Sequence, residues 1–210
     1  MFSAAKENIL KRIRKALTES TPLPFPKSEG SETVFRKAVQ EPELEFAEQF
    51  TRLQGRFIYC INQQELAFQL NSLVLKMDWQ KVYCLEKQLL PALSPEVDTR
   101  MVTDNLAGCD VSITGCECLV ARTGSIVMSS AQHSGRNTSV YAPVHICIAA
   151  TSQVVYDVKD ALQMAKEKYR DKIPSLITFA TGPSRTADIE KTLVVGVHGP
   201  KEVYVFLVES

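Results

Sequence analysis

The stretch DVSITGCECLVARTGSIVMSS, residues 110–130, and the run HICIAA, residues 145–150, decide the class of fold. Together they contain four apolar runs rich in Val and Ile, which is typical of β-strands. The connectors between these runs are short and rich in Gly, Ser and Asn, so they leave no room for helices. Strands joined by such short connectors form hairpins, and part of the sheet is therefore predicted to be antiparallel or mixed.

On both sides of this stretch, helix and strand patterns alternate along the chain. The predicted elements are a helix from Pro42 to Gly55, the strand RFIYC, a helix ending near Met77, the strand KVYCL, a helix from about Asp157, a buried strand in SLITFATG, a turn and helix in GPSRTADIEKTL, and a last strand in VYVFLVE. Alternating strands and helices indicate parallel pairing through right-handed crossovers. The predicted fold class is thus α/β, with a mixed sheet flanked by helices.

The N-terminal residues are predicted to form a separate helical arm. Four apolar residues recur there at helical spacing among lysines and arginines, namely Ile9, Leu10, Ile13 and Leu17. Three alternating prolines in TPLPFPKSEG then favour an extended linker. We therefore predict a basic helix and Pro-rich linker over residues 1–27 and an α/β domain over residues 28–210. Packing of the arm on the body or on a neighbouring subunit, and contact with a membrane surface, are the alternatives that the sequence leaves open.

The charge balance argues against a protein that binds nucleic acid. The chain has 24 lysines and arginines and 24 aspartates and glutamates, whereas binding by phosphate neutralisation needs a basic excess. No apolar stretch approaches the ~20 residues of a membrane-spanning helix. The N-terminus also lacks the apolar block of a secretory signal. These features predict a cytoplasmic protein with no nucleic-acid partner and no membrane span.

The six cysteines are scattered, mostly within apolar runs. They are Cys60, Cys84, Cys109, Cys116, Cys118 and Cys147. Without an export signal, we expect them to be reduced, buried thiols. Although Cys116 and Cys118 would point to one face of a strand, no second pair lies at the spacing of a zinc or iron–sulfur site. The sequence therefore predicts no metal site and gives no sign of a redox cofactor in this chain.

The segment LITFATGPSRTADIE, residues 176–190, is the most informative about chemistry. An apolar strand runs into Thr-Gly-Pro-Ser, after which a helix is predicted to begin with Ser184 or Thr186 as its cap. Free backbone N–H groups and the positive dipole end at such a helix start attract anions. Gly182 would let a ligand approach the backbone closely, and Arg185 suits a carboxylate or phosphate.

Two acidic residues, Asp188 and Glu190, follow in the same segment. They complement the dipole of an ordinary structural helix, or they serve the site, with Asp188 binding ligand and Glu190 acting as an acid or base. Because they lie two positions apart on a helix, they point away from each other by ~200° and cannot form a catalytic dyad. The Gly-x-Ser-x-Gly and P-loop patterns are both absent.

The turn between the second and third runs of the fold-determining stretch is a further candidate site. It brings the hydroxyls of Thr123 and Ser125 next to Gly124, and a plain hairpin turn is the alternative interpretation. A polar loop containing Arg136 lies between the last two of these runs, and loops of this kind often hold binding groups.

Two histidines complete the candidate set. His145 begins a strand and is either a ligand-binding residue or a structural histidine. His198 lies in the glycine-flanked turn before the last strand and could act as an acid, a base or a donor to the ligand near neutral pH.

The blocks TGPSRTADIE, residues 181–190, and LVVGVHGP, residues 193–200, resemble the signature of the LUD-domain family, lactate-utilisation protein C type. The segments TGSIV and PVHI resemble the preceding blocks of that family. The resemblance implies the fold of the superfamily of ribose-phosphate isomerase, glucosamine-phosphate isomerase and CoA-transferase. It also implies a role in bacterial oxidation of L-lactate to pyruvate with two partner proteins, at least one of which carries iron–sulfur clusters. One departure is Arg122, where the family usually has Glu in a Glu-Thr-Gly sequence.

The function predicted from these residues and from the resemblance is an accessory protein or subunit of a lactate-oxidising system. It binds a small carboxylate or phosphorylated ligand, and its iron–sulfur clusters are expected on partner proteins. The predicted ligand-binding residues are Thr123, Gly124, Ser125, Arg136, His145, Gly182, Ser184, Arg185, Thr186 and Asp188, and the predicted catalytic residues are Glu190 and His198.

Two alternatives stay open at this stage. One is a self-sufficient enzyme acting on a sugar phosphate or an acyl-CoA-type substrate, with Glu190 as the base. The other is an interaction module whose basic arm recruits a partner. Self-association is left open in each case.

Overall fold

A computed structural model describes most of the chain and divides it into two units, residues 1–37 and 38–210. The described residues are 4–18, 38, 40–93, 101–102, 105–187, 193–196 and 198–210. In the first unit, the predicted helical arm is present as helix α1 (Ala4–Thr18). The Pro-rich linker and the predicted boundary at residues 27 and 28 lie outside the described residues.

The second unit alternates helices and strands, as predicted. One expectation is wrong: the connector before HICIAA was predicted to leave no room for a helix, but it is long enough for one helical turn, Thr138–Tyr141. The described helices of this unit are α2 (Pro42–Arg52), α3 (Gln63–Lys76), α4 (Thr138–Tyr141) and α5 (Val158–Tyr169). Its described strands are β1 (Arg56–Cys60), β2 (Val82–Tyr83), β3 (Met101–Val102), β4 (Val111–Thr114), β5 (Cys118–Val120), β6 (Ser125–Ser129), β7 (Val144–Ala150), β8 (Val154–Val155), β9 (Ile177–Ala180), β10 (Arg185–Ala187), β11 (Leu193–Val195) and β12 (Glu202–Val208). The α/β class is therefore confirmed.

The larger sheet has six strands in the order β1-β12-β7-β4-β2-β3, and every pairing in it is parallel. Strand β12 lies between β1 and β7 and is buried along nearly its whole length. Alternate residues of β12 pack into different clusters, Val205 on one face of the sheet and Phe206 on the other. A strand covered on both faces needs a continuous apolar run, which is the pattern of VYVFLV.

The antiparallel pairs lie in a second sheet of four strands, ordered β8-β5-β6-β9. Its β5–β6 hairpin is antiparallel, as predicted, and β6 also pairs antiparallel with β9. Strands β4 and β5 do not form a hairpin, because residues 115–117 carry the chain from the parallel sheet to the mixed one. Strand β9 is an edge strand and only half-buried, where a buried strand was predicted.

The core consists of stacked layers. Helix α3 packs on one face of the parallel sheet, while α2 and the mixed sheet cover the other face. Helix α5 packs on the outer face of the mixed sheet. All six cysteines are buried, which confirms that part of the prediction, and the structure has them as free thiols. Among the described residues, no helix combines the length and the apolar character needed to cross a bilayer.

The helix predicted after Pro183 is wrong at its start. Residues 185–187 form strand β10, which pairs antiparallel with β11, and residues 188–192 lie outside the described residues. The run Leu193-Val194-Val195 offers β-branched residues that favour a strand and provides the pairing partner. Neither Ser184 nor Thr186 therefore caps a helix, and the predicted anion site at a helix start is not formed at these residues.

Candidate functional site

The two glycine turns singled out from the sequence come together in the structure. The Oγ atom of Ser125 lies 2.7 Å from Oγ1 of Thr123 and 2.8 Å from Oγ1 of Thr181. Ser125 is buried, and Thr181 is exposed. The three hydroxyls therefore form one hydrogen-bonded chain that joins the β5–β6 turn to the end of β9.

Both turns pack against the C-terminal end of α2. Gly124 and Gly182 have φ values of 61° and 75°, a region in which L side chains are strained. A Cβ atom on Gly124 would lie 2.7 Å from the amide nitrogen of Phe50, and one on Gly182 would lie 2.8 Å from the carbonyl oxygen of Leu53. These glycines therefore permit close approach of the protein's own backbone.

The guanidinium of Arg185 is used at the same place. It donates a hydrogen bond to the carbonyl oxygen of Leu53 at 2.5 Å and so provides a partner for a carbonyl at the C-terminal end of α2. This contact gives Arg185 a structural partner, so anion binding by Arg185 would require it to share or exchange that contact.

His198 lines a cavity of about 420 Å³ between the end of α4 and the base of the β10–β11 hairpin. The lining residues are Val140, Tyr141, Ala142, Pro143, Gly196, His198, Gly199 and Lys201. A histidine, a lysine and a tyrosine are thus among the residues that line a space large enough for a small ligand. These groups donate hydrogen bonds and supply positive charge, which suits a carboxylate or phosphate.

The backbone of Ser184 is hydrogen-bonded to both ends of the turn that contains His198. Its amide donates to the carbonyl oxygen of Pro200 at 2.9 Å, and its own carbonyl accepts the amide of Gly196 at 3.0 Å. The amide of Lys201 in turn donates to the carbonyl oxygen of Pro143 at 2.8 Å. The Ser184 amide predicted to face an anion is therefore occupied, and it fixes the turn that presents His198.

His145 lies in the interior and not in this cavity. It is 1% exposed, and its Nε2 atom is 2.8 Å from Oγ1 of Thr114 on the neighbouring strand. Burial lowers the pKa of His145 to about 4, so the ring is neutral at neutral pH. The hydroxyl of Ser112, which is in register with His145, has no partner among the described residues.

The remaining predicted residues are dispersed or not described. Arg136 is exposed and donates to Oγ of Ser175, on the loop before β9. Asp188, Glu190 and the side chain of Thr186 lie outside the described residues. Ligand binding and catalysis by the predicted residues therefore stay predictions.

Arg122 has a defined partner. Its Nε atom lies 2.6 Å from Oδ2 of Asp157, the residue that caps the N-terminus of α5. Burial by itself raises the pKa of Asp157, but hydrogen bonds from Arg122 and the Lys159 amide outweigh it and lower that pKa. Arg122, where the resemblance led us to expect Glu, thus carries the cation that holds the helix cap.

Sequence reasoning missed two buried carboxylates. Glu117 is 9% exposed and accepts hydrogen bonds from Ser129, Lys168 and Tyr169 at 2.6, 2.6 and 2.5 Å. Burial raises the pKa of Glu117, but these three donors outweigh it and lower that pKa. The available signal was an acid between two cysteines in an otherwise apolar stretch, since a buried charge needs partners.

The second carboxylate, Glu86, follows β2 at the carboxyl edge of the parallel sheet. It is 3% exposed and accepts the amide of Gly115, at the end of β4, at 3.0 Å. Gln88 donates to its other oxygen at 2.8 Å. This carboxylate therefore ties the ends of two adjacent strands. In the described part of the chain, no group of three or more His, Cys, Asp or Glu residues could hold a metal ion.

Comparison with known proteins gives the same family as the sequence blocks. A family model described as the LUD domain matches residues 63–208. An uncharacterised protein of Neisseria meningitidis is 31% identical over 117 residues, 56% of this chain and 49% of that protein. Lactate utilization protein C of Bacillus velezensis is 39% identical over 103 residues, and that of Bacillus subtilis is 37% identical over 103 residues. Each of these two alignments covers 48% of this chain and 43% of the relative. The chain thus spans about half the length of the curated relatives it matches.

A solved structure has the same fold. The chain resembles a DUF162 family protein of Deinococcus radiodurans with a TM-score of 0.62 and 20% sequence identity. The likeness covers 80% of this chain and 96% of that one. At this level of identity the comparison supports the α/β fold alone.

Proposed function

The chain belongs to the LUD-domain family, and on that premise we propose that it is a component of a lactate-utilisation system that binds a small carboxylate or phosphorylated ligand. The names of relatives that are 37% and 39% identical support the first part of the proposal. We further propose that iron–sulfur proteins are its partners and that it works in the cytoplasm. The six buried free thiols support that location.

The observation that carries the ligand proposal is the cavity lined by His198 and Lys201. Its volume of about 420 Å³ suits a molecule of a few carbon atoms or a phosphorylated compound. Lys201 supplies a positive charge, and the imidazole of His198 supplies a ring N–H that can donate a hydrogen bond to an anion. An anion held between them would gain charge-assisted hydrogen bonds.

The ligand test is a thermal-shift titration of the full chain with L-lactate, pyruvate and inorganic phosphate. A ligand at 100 times its Kd stabilises the folded state by about 2.7 kcal/mol, which raises the melting temperature. We expect at least one of the three to do so. Lys201→Gln should then weaken binding by about 1.5–3 kcal/mol, the value of a hydrogen bond to a charged group.

The matched control is Lys172→Gln, which removes the same charge from an exposed site after α5. It should leave the titration unchanged. Equal binding by Lys201→Gln and the parent chain would show that the cavity is not the ligand site, even if the chain binds a ligand.

The partner proposal has a separate test. Iron–sulfur proteins of a lactate-utilisation system are purified and supplied with L-lactate and an artificial electron acceptor, with and without this chain. We expect reduction of the acceptor to rise when the chain is added. Turnover by the chain alone would contradict an accessory role, and no effect of the chain would contradict participation.

A further inference from the structure

Helix α1 is strongly amphipathic, and its apolar face is exposed. At 3.6 residues per turn, Ile9, Leu10 and Ile13 fall within an arc of about 100°. Their exposed fractions are 58%, 39% and 49%. Four of the five cations of α1 occupy an arc of about 160° on the opposite side, and these are Lys11, Arg12, Arg14 and Lys15. The fifth, Lys6, is in the first turn of the helix at an angle within the apolar arc. Exposed aliphatic side chains on one face and cations on the other indicate a helix that can bury its apolar face in an apolar layer and bind negative charge.

The charges of the chain are segregated between its two units. Residues 1–37 carry eight lysines and arginines but only four carboxylates. Because the whole chain has a formal net charge of zero, residues 38–210 carry a net charge of −4. The neutral total thus conceals a cationic first unit, whose excess of positive charge lies in α1.

We propose that α1 binds the surface of an anionic lipid bilayer, with its axis in the plane of the membrane. In that orientation Ile9, Leu10 and Ile13 enter the boundary between headgroups and acyl chains, while the cations meet anionic headgroups. Each Lys or Arg near such a surface adds attraction that decays within a Debye length. The α1 helix of a second copy is a poorer occupant, because two such helices would bring like charges together.

Nucleic acid fits the same helix less well. It would neutralise the cations but would leave the apolar arc in water, since phosphate binding makes no use of isoleucine and leucine. A bilayer matches both arcs at once. The two occupants therefore differ in whether Ile9 and Ile13 contribute to binding.

The test is sedimentation of the full chain with vesicles of phosphatidylcholine alone and of phosphatidylcholine with about 30% phosphatidylglycerol. We expect binding to the anionic vesicles to exceed binding to the neutral ones by at least tenfold and to fall as salt is raised. Equal binding to both vesicles, or no binding to either, would overturn the proposal.

Two double variants separate the contributions of the arcs. Lys11→Gln with Lys15→Gln should lower the partition coefficient on anionic vesicles by roughly 10- to 30-fold, from about 1 kcal/mol per cation. Ile9→Ser with Ile13→Ser should also lower it by at least tenfold while leaving the charge unchanged. Full binding by the serine variant would overturn insertion and indicate a purely electrostatic contact with a polyanion.

The matched control removes two exposed cations from the second unit, as Lys166→Gln with Lys172→Gln. It has the same net charge as the first double variant and should bind anionic vesicles like the parent chain. An equal loss in this control would assign binding to net charge and overturn the assignment to α1. Melting curves of all variants should coincide, which verifies that the second unit is folded.

Discussion

Two ion pairs hold the ends of α5 against strand β5, and they differ in the donors that surround each carboxylate rather than in distance. Glu117 precedes β5 and lies 2.6 Å from Lys168, near the C-terminus of α5. Arg122 follows β5 and lies 2.6 Å from Asp157, at the N-terminus of α5. In each pair the helix contributes the charge that complements its own dipole, an acid at the start and a base at the end.

The two ion pairs differ in the polar groups that would lose a hydrogen-bond partner if each pair were broken. The Glu117 side chain is 5% exposed and holds three donors from two elements, β6 and α5. The Asp157 side chain is 8% exposed and accepts hydrogen bonds from one side chain, Arg122, and from the backbone amide of Lys159. Equal distances therefore do not mean equal contributions, because the cost of breaking a pair is set by the polar groups left buried without partners.

The largest expected effect is that of Glu117→Ala. It removes the acceptor shared by Ser129, Lys168 and Tyr169, and only one of the two hydroxyls, which lie 3.1 Å apart, can then donate to the other. We expect the free energy of unfolding to fall by about 3 kcal/mol. Urea denaturation followed by circular dichroism measures this change. The control Glu167→Ala removes an exposed carboxylate of α5 and should change the free energy by less than about 0.5 kcal/mol. Similar losses in both variants would contradict the importance of burial.

The next effect is that of Arg122→Glu, which introduces the residue expected at this position from the family resemblance. It places a second carboxylate beside Asp157, and we expect a loss of about 2 kcal/mol from the lost pair and the new repulsion. In the background of Asp157→Asn the same substitution should cost much less, because the repulsion is gone. A double-mutant cycle gives the coupling energy, and a coupling near zero would show that the pair contributes nothing.

The smallest expected effect is a change in the stability of the fold at acidic pH. The pKa values of Glu117 and Asp157 are both lowered by folding, so each adds stability that is present above its unfolded pKa and lost as the pH falls through its folded value. Glu117→Gln should flatten the acid limb of the stability curve more than Arg122→Gln does, because Asp157 keeps its backbone donor.

His145 contributes to the same curve in a different range. Its pKa is lowered from 6.5 to about 4, so its contribution is lost as the pH falls from 6.5 towards 4. Subtracting the variant curves from the parent curve cancels this contribution. If the two variants change the acid limb equally, the two carboxylates do not differ as their surroundings indicate.

Helix α5 and the β10–β11 hairpin show which features local sequence patterns predict and which they do not. Helix α5 was predicted from its apolar face, and its cap Asp157 lies where expected, because capping and periodicity are local properties. The hairpin β10–β11 was missed because Arg185 to Ala187 pair with Leu193 to Val195, and no local pattern reveals that pairing. Tertiary pairing outweighed the weak preference for a helix start.

The candidate site shows the same division. His198 was singled out as a residue in a glycine-flanked turn, and the structure places it in a cavity. The hydroxyls of Ser125 and Thr181, 56 positions apart, meet only because β6 and β9 pair. Lys201 was not singled out, because a lysine before a strand is common and only the fold brings it beside His198 and Tyr141.

By itself, the sequence determined the α/β class, the helices at Pro42–Arg52 and Val158–Tyr169, the burial of the cysteines and the family. These depend on periodicity, caps and contiguous blocks, which are written in neighbouring residues. Tertiary structure decided the division into a parallel and a mixed sheet, the partners of Glu117 and Arg122, and the cavity at His198. Each of these requires residues far apart in the chain to meet, and their meeting is fixed by the burial of the whole apolar surface rather than by any local segment.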